Sequence, residues 1–528
     1  MKKTLLYSAC VSALLAASPA LAVSPPIPAS GNNTSTVTQA GNAETATVTQ
    51  NGSNDSSTVN QNGAASQGNT ATVKMTGISG GGSTVTQSGT NNRATVTTGD
   101  DGSVNAGALL PITVSHVTQS IGGAGAGEGN QATVDQLSQV FALQTTSDVT
   151  QAGKGNVTFV KQRDDNQSSI VNQTSDFNSA TVNQGVDSFA TDTSFGNHSE
   201  IAQGGNGHNT ATVDQVRGVL GNSFVTQLGS NGLATVTQND NGTFGGGNNS
   251  TISQYADGNQ AIITQTGRRN SSTVTESNVR NGARVTQTGN GNISTVSQSA
   301  APDGFGFGGQ ANVFGFLTLP ASLSDASFVG VKQVGNNLES HATATGSSDF
   351  AFVSQAGMNP LGKKDVSTVD QSGQGDFAFI GQVGTDLGST VTQTGFGDIA
   401  RVDQSGSGHR STWTQSGDFN NYGNYVVVDV AKGIHQSGLN QTSTVTQSGT
   451  YGVINVVQSN SGNTSLINQG GNRNSAYVTQ SGVTNTSDIE QLLGSSGNTA
   501  NVTQSSNNNT STVTQMGSNS TATVTQGS

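Results

Sequence analysis

This chain cannot be held together by disulfides, because its 528 residues include a single cysteine, Cys10. Charge is almost as scarce, at 9% of residues against roughly 25% in ordinary globular chains. The net charge of −12 is too dilute over this length to hold the chain open by self-repulsion. No cluster of Lys or Arg stands out, which argues against a nucleic-acid binder. Nothing after residue 22 approaches ~18 consecutive apolar residues, so no membrane-spanning helix is expected. Leu, Lys and Glu are few while Gly, Thr, Ser and Asn abound, a composition that disfavours long helices. Apolar residues reach only 31% and Gly supplies 71 positions, so ordinary thick-cored domains are also excluded. What remains is a long, thin-cored and repetitive β structure.

Residues 1–22 read as a secretion signal: Lys2 and Lys3, an apolar stretch from Leu5 to Ala17, and the small-x-small cleavage site Ala20-Leu21-Ala22. Its removal takes away Cys10 and makes the net charge −14. An exported chain without thiols must take its stability from backbone bonding and packing. A Pro-rich leader with Pro25, Pro26 and Pro28 occupies 23–33.

The rest follows a period of eleven. Gln436, Gln447, Gln458, Gln469, Gln480 and Gln491 are each eleven apart, as are Gln371, Gln382, Gln393, Gln404 and Gln415. Gln254, Gln265, Glu276, Gln287 and Gln298 keep the beat with one Glu, and Met75, Thr98 and Thr345 are expected to fill the slot elsewhere. The unit reads [A/S]-T-V-T-Q-x-G-x-x-N-x. Five residues alternate, as in a half-buried strand; the next six hold Gly and Asn, which tolerate turn conformations. An eleven-residue supercoiled helix would need several large apolar residues per unit, and this unit has one valine.

Alternation places Ala or Ser, Val and Gln on one face and both Thr on the other. One buried valine contributes roughly 1.5–3 kcal/mol, well short of the entropy of ordering eleven residues at about 1–2 kcal/mol each. A unit therefore folds only against its neighbours. Like stacked on like lets Gln and Asn amides pair up the stack, and an unpaired buried amide costs ~1–3 kcal/mol. The expected fold is all-β: a repetitive β-solenoid of stacked strand–turn–strand rungs, two strands per rung, about 18 rungs from the number of repeats. The last unit, Ala522 to Gln526, shows no atypical polar cap and is expected to offer an open, polymerising edge.

The beat is lost at 99–118, at 120–131, in a Gly/Phe-rich insertion at 299–326 and at 417–431. The insertion carries Phe305, Phe307, Phe314, Phe316 and Leu317, and reads as a loop leaving the stack, an apolar flap or a hinge. The repeats thus occupy 34–298 and 327–528. Phe159, Phe224, Phe352, Phe379 and Tyr477 replace outward Thr, whereas Trp413 falls in the inward Val slot. Chemistry is thin. His116, His198, His208, His341, His409 and His435 lack ligand spacing, so no metal is expected. Asp135, Asp214, Asp370 and Asp403 precede the repeat Gln in an outward slot and read as solubilising gatekeepers. There is no phosphate loop and no recognisable nucleophile; neither enzyme activity nor a cofactor is expected.

Units such as Ser272-Thr273-Val274 leading to Glu276, and Gln469-x-Gly471-x-x-Asn474-x-Ala476-x-Val478-x-Gln480, resemble the curlin repeat, S-x5-Q-x-G-x2-N-x-A-x3-Q. The resemblance covers most of 34–298 and 327–528. It implies a subunit of curli-type extracellular amyloid, exported through a dedicated outer-membrane channel and assembled with itself, other curlin-type subunits or a nucleator into cell-surface fibres of the biofilm matrix. It leaves open whether the chain is a main, accessory or nucleating subunit. The inward amides it casts as the self-assembly ladder are Gln50, Gln61, Gln87, Asn92, Gln265, Asn270, Gln287, Asn292, Gln393, Gln404, Gln447, Gln458, Asn463, Gln469, Asn474, Gln480, Asn485 and Gln515. Two other readings stay open: an ice-binding solenoid using Thr-x-Thr faces, and the stalk of a surface adhesin.

Overall fold

The computed structural model describes residues 32–527 except 53, 77–80, 101–112, 121–128, 139–143, 164–165, 186–194, 218–219, 240–245, 300–311, 314–316, 319–326, 361 and 422–431, together with short strands at Leu14–Ala16 and Pro19–Val23. Among the described residues there is no helix, and the chain forms a parallel β-solenoid of about 17 turns. Each repeat strand pairs in parallel with the next repeat strand but one along the chain. Two parallel sheets therefore grow side by side and enclose a narrow interior. The chain divides into two compact units, Met1–Gly258 with Ile262–Arg269, and Asn259–Ala261 with Asn270–Ser528.

In the first unit one sheet begins at Thr34–Asn42 and continues through Ser56–Gln67 and Gly82–Ser88; the other holds Thr45–Asn51, Thr70–Thr76 and Arg93–Asp100. Register is like on like, with Val37 beside Val59, Val59 beside Val85, and Gln61 beside Gln87. The second unit repeats this: Val445 pairs with Ile467 and Gln447 with Gln469 in one sheet, Val456 with Val478 and Gln458 with Gln480 in the other. The strand Gly388–Gln393 alternates between half-buried and buried side chains, with Ser389, Val391 and Gln393 inward. Period 2 in the sequence has become a polar-out, packed-in strand. The core is a stack of Val or Ile, Ala or Ser, and Gln, all near zero exposure.

A tight reversal separates the strands. The residue before the inward Asn is commonly left-handed: Asn91 (φ 57), Arg473 (φ 54) and Thr484 (φ 59) carry side chains there, and Gly462 (φ 67) and Gly497 (φ 67) take the same place. Only single residues adopt it, so the cost stays local.

The structure corrects the sequence reading in several places. Residues 113–118 lie inside the array: strand Thr113–Ser120 pairs with Gly82–Ser88, placing Val117 on Val85 and Gln119 on Gln87. The repeat slot assigned to Thr345 belongs to Ala344, which pairs with Gln298 below and Gln371 above and is fully buried, while Thr345 is exposed. Alternation leaves no choice, because a slip of one residue turns a side chain to the opposite face. Across the 299–326 insertion the stack continues: Gly282–Asn290 and Phe328–Asn336 pair over all nine positions, Gln287 on Gln333. The repeat register is thus the same on both sides of the insertion, most of which lies outside the described residues. Within it Asn312–Val313 and Leu317–Thr318 form an antiparallel pair. Phe305, Phe307, Phe314 and Phe316, and likewise Tyr422, Tyr425 and Val426 to Val428, lie outside the described residues.

Candidate functional site: the buried amide columns

The repeat glutamines form continuous side-chain ladders. In the first unit Gln61 Nε2 donates to Gln87 Oε1 (2.8 Å), Gln87 to Gln119 (2.8 Å), Gln119 to Gln151 (2.8 Å), and so on through Gln173, Gln203 and Gln227 to Gln254. The opposite sheet of that unit runs from Gln136 through Gln162, Gln184, Gln215 and Gln238 to Gln265. In the second unit one column climbs from Gln371 through Gln393, Gln415, Gln447, Gln469 and Gln491 to Gln515. The other climbs from Gln287 through Gln333, Gln355, Gln382, Gln404, Gln436, Gln458 and Gln480 to Gln504. The second Nε2 hydrogen crosses the core to a backbone carbonyl of the facing strand, as from Gln458 to Thr442 O (3.1 Å) and from Gln480 to Thr464 O (3.0 Å). Donor and acceptor are both spent, so an interior this polar carries little desolvation penalty.

Asparagine acts differently from the expectation. Its amides do not pair with each other up the stack. In most of them Oδ1 accepts the backbone N–H of the equivalent residue one layer on: Asn92 from Asn130 (3.1 Å), Asn270 from Asn292 (3.1 Å), Asn292 from Leu338 (3.1 Å). Asn463 accepts from Asn485, Asn474 from Asn498 and Asn485 from Asn509, all at 2.9 Å. The Nδ2 group then donates to a turn carbonyl, as from Asn270 to Gly289 O (2.9 Å) and from Asn463 to Gly482 O (2.9 Å). Gln supplies a column of its own, whereas Asn ties one turn to the next.

Four described slots depart from Gln: Met75, Thr98, Glu276, which stands beside Gln298, and Ala344. Gln50 Nε2 points at Met75 Sδ (3.8 Å) and donates to Thr34 O, and Met75 sits beside buried Thr98. At Ala344 the ladder is broken. Gln298 turns its Nε2 to Ser327 O (2.9 Å), and Gln371 Oε1 is left buried without a partner. Ala344→Gln is expected to bridge the gap and raise stability by about 1 kcal/mol, two hydrogen bonds less the added crowding; denaturant midpoints of the two chains measure it, and an equal or lower midpoint argues against the column geometry. Trp413 occupies the Val slot between Val391 and Val445, as its frame position predicts, and is fully buried. The indole bond was not foreseen: Nε1 donates to Gln447 Oε1 at 3.0 Å.

Also unforeseen is the chemistry of the Asn slot between residues 338 and 420. Asp349, Asp365, Asp376, Asp398 and His409 stand there, all fully buried. Six residues before each repeat Gln is the position that would have revealed them.

The outward face has no such regularity. One outer column reads Thr84, His116, Asp148, Ile170, Glu200, Phe224, Thr251. Phe159, Phe224 and Tyr477 are exposed, as expected for replacements of outward Thr. Asp135 pairs with Arg163 (2.6 Å), and Asp403 with Arg401 (2.6 Å) and His435 (3.1 Å). Burial pushes Asp403 up, but His435 and Arg401 outweigh it and hold the carboxyl below its ordinary range. Arg401 also lies over the Phe379 ring, 5.3 Å from its centre. Among the described residues no three His, Cys, Asp or Glu side chains gather as metal ligands.

A fold of this kind, parallel two-strand turns around hydrogen-bonded amide columns, is a repeat β-solenoid whose interior is made by self-likeness. Residues 244–275 and 496–527 match the family model of the curlin associated repeat, so the chain carries curlin repeats at two places. The second match spans three consecutive repeat strands, Thr499–Gln504, Thr510–Gln515 and Thr521–Gln526. None of the curated proteins matches the chain significantly.

Proposed function

We propose that this protein is an exported structural subunit that self-assembles into curli-like amyloid fibres at the cell surface, supporting adhesion and biofilm matrix. The observation that carries the reading is the like-on-like amide column: each Gln finds both partners in copies of its own repeat, so the rung that best continues the stack is another rung of this chain. Curlin repeats at two places agree with it. In this reading residues 1–22 direct export and are cleaved after Ala22, a curli-type outer-membrane channel passes the unfolded chain, and the inward Gln and Asn residues drive addition to a fibre end. The outer columns give no support to ice binding, since the flat Thr-x-Thr array it requires is broken by His116, Asp148, Glu200 and Phe224.

The test is assembly of the purified chain lacking residues 1–22. It should begin soluble and poor in β signal, then convert after a lag that preformed fibres abolish, with filaments visible by electron microscopy. A chain that folds at once into a stable monomer and ignores seeds would overturn the reading.

A further inference from the structure

Seven of the described amide positions that tie turn to turn carry titratable groups, Glu44, Asp55, Asp349, Asp365, Asp376, Asp398 and His409, and four of the carboxyls lie close together in the second unit. Asp349, Asp376 and Asp398 follow one another in successive layers of one column. Asp376 N donates to Asp349 Oδ1 (3.1 Å), Asp398 N to Asp376 Oδ1 (2.9 Å) and Asn420 N to Asp398 Oδ1 (2.9 Å). On the opposite turn Leu387 N donates to Asp365 Oδ1 (2.9 Å). One oxygen of each carboxyl therefore does what Asn Oδ1 does elsewhere.

The other oxygen stands where Asn has its NH2. Asn69, Asn209, Asn270 and Asn463 each donate Nδ2 to the carbonyl three residues before the next column residue, Gly89, Gly229, Gly289 and Gly482. The matching carbonyls for the acids are those of Gly373, Gly395, Gly417 and Gly384, and at the last three the carbonyl oxygen and the acid's Oδ2 border the same small space. A Cβ on Gly373 would fall 2.0 Å from Gly395 O and 2.4 Å from Asp376 Oδ2; one on Gly395 would fall 1.6 Å from Gly417 O and 2.7 Å from Asp398 Oδ2. For Asp365 the same construction on Gly357 gives 2.1 Å to Gly384 O and 2.9 Å to Oδ2. Asp365, Asp376 and Asp398 are fully buried and no hydrogen bond closes on their Oδ2 atoms, although the Asn359 and Asn420 amides lie near Asp365 and Asp398 and favour the charged form. A carboxylate oxygen facing a carbonyl oxygen is two acceptors in contact; a carboxylic acid there is a donor and completes the Asn pattern.

We propose that Asp349, Asp365, Asp376 and Asp398 form a proton-loaded set, neutral acids standing in for Asn, so that this stretch of the array takes up protons on folding and is undone by alkaline pH. Burial, with the negative charge of neighbouring acids adding to it, pushes both Asp376 and Asp398 up to about 8 against the bonds from the backbone. The charges bearing on them are acidic: Asp349 and exposed Asp418 on Asp376, and Asp376 and Asp418 on Asp398. Asp365 is also raised by burial, with Asp386 and Arg410 nearby and paired to each other at 2.7 Å. His409, in the same column as Asp365, opposes the acids. Its Nδ1 accepts from Gln441 N (3.3 Å), its Nε2 donates to Ser405 O (3.0 Å), and burial pushes it down. It is thus a neutral Asn mimic that loses its acceptor when acidified.

The signs follow. Acids with a raised folded pKa contribute fully below the free-chain value near 4, lose that contribution as pH rises, and have lost it above about 8. Across that window each titrating aspartate lowers the folding equilibrium about tenfold per pH unit. His409 removes stability only below about 6.5, and as a single group it is outnumbered.

The experiment follows Trp413 emission in the full chain during guanidinium unfolding, at about pH 5 and about pH 9, for the wild type and for D349N/D365N/D376N/D398N. The wild-type midpoint should fall from pH 5 to pH 9, and the variant should not fall. Should four changes prevent folding, D376N/D398N should lose about half of the wild-type fall. Equal wild-type midpoints at the two pH values would overturn the proposal, as would variants that fall as far as the wild type. So would calcium chloride restoring the wild-type midpoint at pH 9, because the occupant would then be a cation and not a proton. None of these outcomes depends on whether fibres form.

Discussion

Replacing Gln447, Gln458 and Gln469 together by Ala is expected to lower stability by on the order of 5 kcal/mol and to lengthen the assembly lag at least tenfold, whereas Thr444→Ala with Thr446→Ala changes either by little. Gln447 Oε1 accepts from both Gln415 Nε2 (2.9 Å) and Trp413 Nε1 (3.0 Å), so its loss strands two buried donors and leaves Gln469 Oε1 without one. Removing Gln458 strands Gln436 Nε2 and Gln480 Oε1 in the other column. Removing Gln469 frees Gln491 Oε1 and Val453 O. Each unsatisfied buried group costs ~1–3 kcal/mol, and the vacated space adds to it. Gln447 and Gln469 share a bond, so their effects should fall short of additive. Thr444 and Thr446 stand on the outward face, half-buried, and exchange with Leu466 and Asn468 in the next layer without disturbing the register. Unfolding curves followed by Trp413 emission and seeded assembly measure both halves. Similar losses from the Thr pair would mean that the interior columns do not carry the stack.

Much of this was legible in the sequence because two periods coincide. Alternation sets the face and the eleven-residue spacing sets the layer, so Val445, Gln447 and Trp413 could be placed inward without coordinates. Side-chain length was harder to read. Gln and Asn carry the same amide, yet Gln reaches the next Gln while Asn, one methylene shorter and set beside a left-handed turn residue, bonds backbone groups and turn serines. The Thr345 assignment failed by one residue, where counting eleven from Gln333 gives 344 and another eleven gives Gln355. Strand Thr113–Ser120 was missed behind an irregular stretch, although Ser115-x-Val117-x-Gln119 carries the inward pattern. The buried acids do not stand in the outward Asp slot but six residues before the repeat Gln, where Asn is the rule. Asp376 and Asp398 differ from Asn in one atom, and only burial shows what that atom must do.

Gly449→Ala should be among the most damaging single changes in the second unit, lowering stability by more than about 3 kcal/mol, while Gly82→Ala should be neutral or stabilise by up to about 1 kcal/mol. Gly449 sits two residues after Gln447, where the strand bends into its turn. A Cβ there would lie 1.8 Å from Gly471 O and 2.8 Å from its carbonyl carbon. That carbonyl cannot move aside, since it accepts Thr450 N at 2.9 Å while Ser448 N binds Gln469 O at 3.0 Å on the other flank. The same approach recurs down the column, where a Cβ on Gly395 would meet Gly417 O at 1.6 Å and one on Gly417 would meet Gly449 O at 1.7 Å. Neither Gly395, Gly417 nor Gly449 has a positive φ, so room between layers, not backbone freedom, requires them. Making that room means lifting one turn from the next and breaking the Thr450–Gly471 bond together with the Gln447–Gln469 contact beside it. Gly82 provides the contrast: its added Cβ would meet Val114 Cγ2 at 3.8 Å and Thr113 O at 3.9 Å, ordinary contacts at a compatible φ. Chemical denaturation followed by circular dichroism ranks the two variants. If Gly449→Ala unfolds within about 0.5 kcal/mol of the wild type, the layers have slack, and the close stacking that brings each amide within reach of the next is not what fixes their spacing.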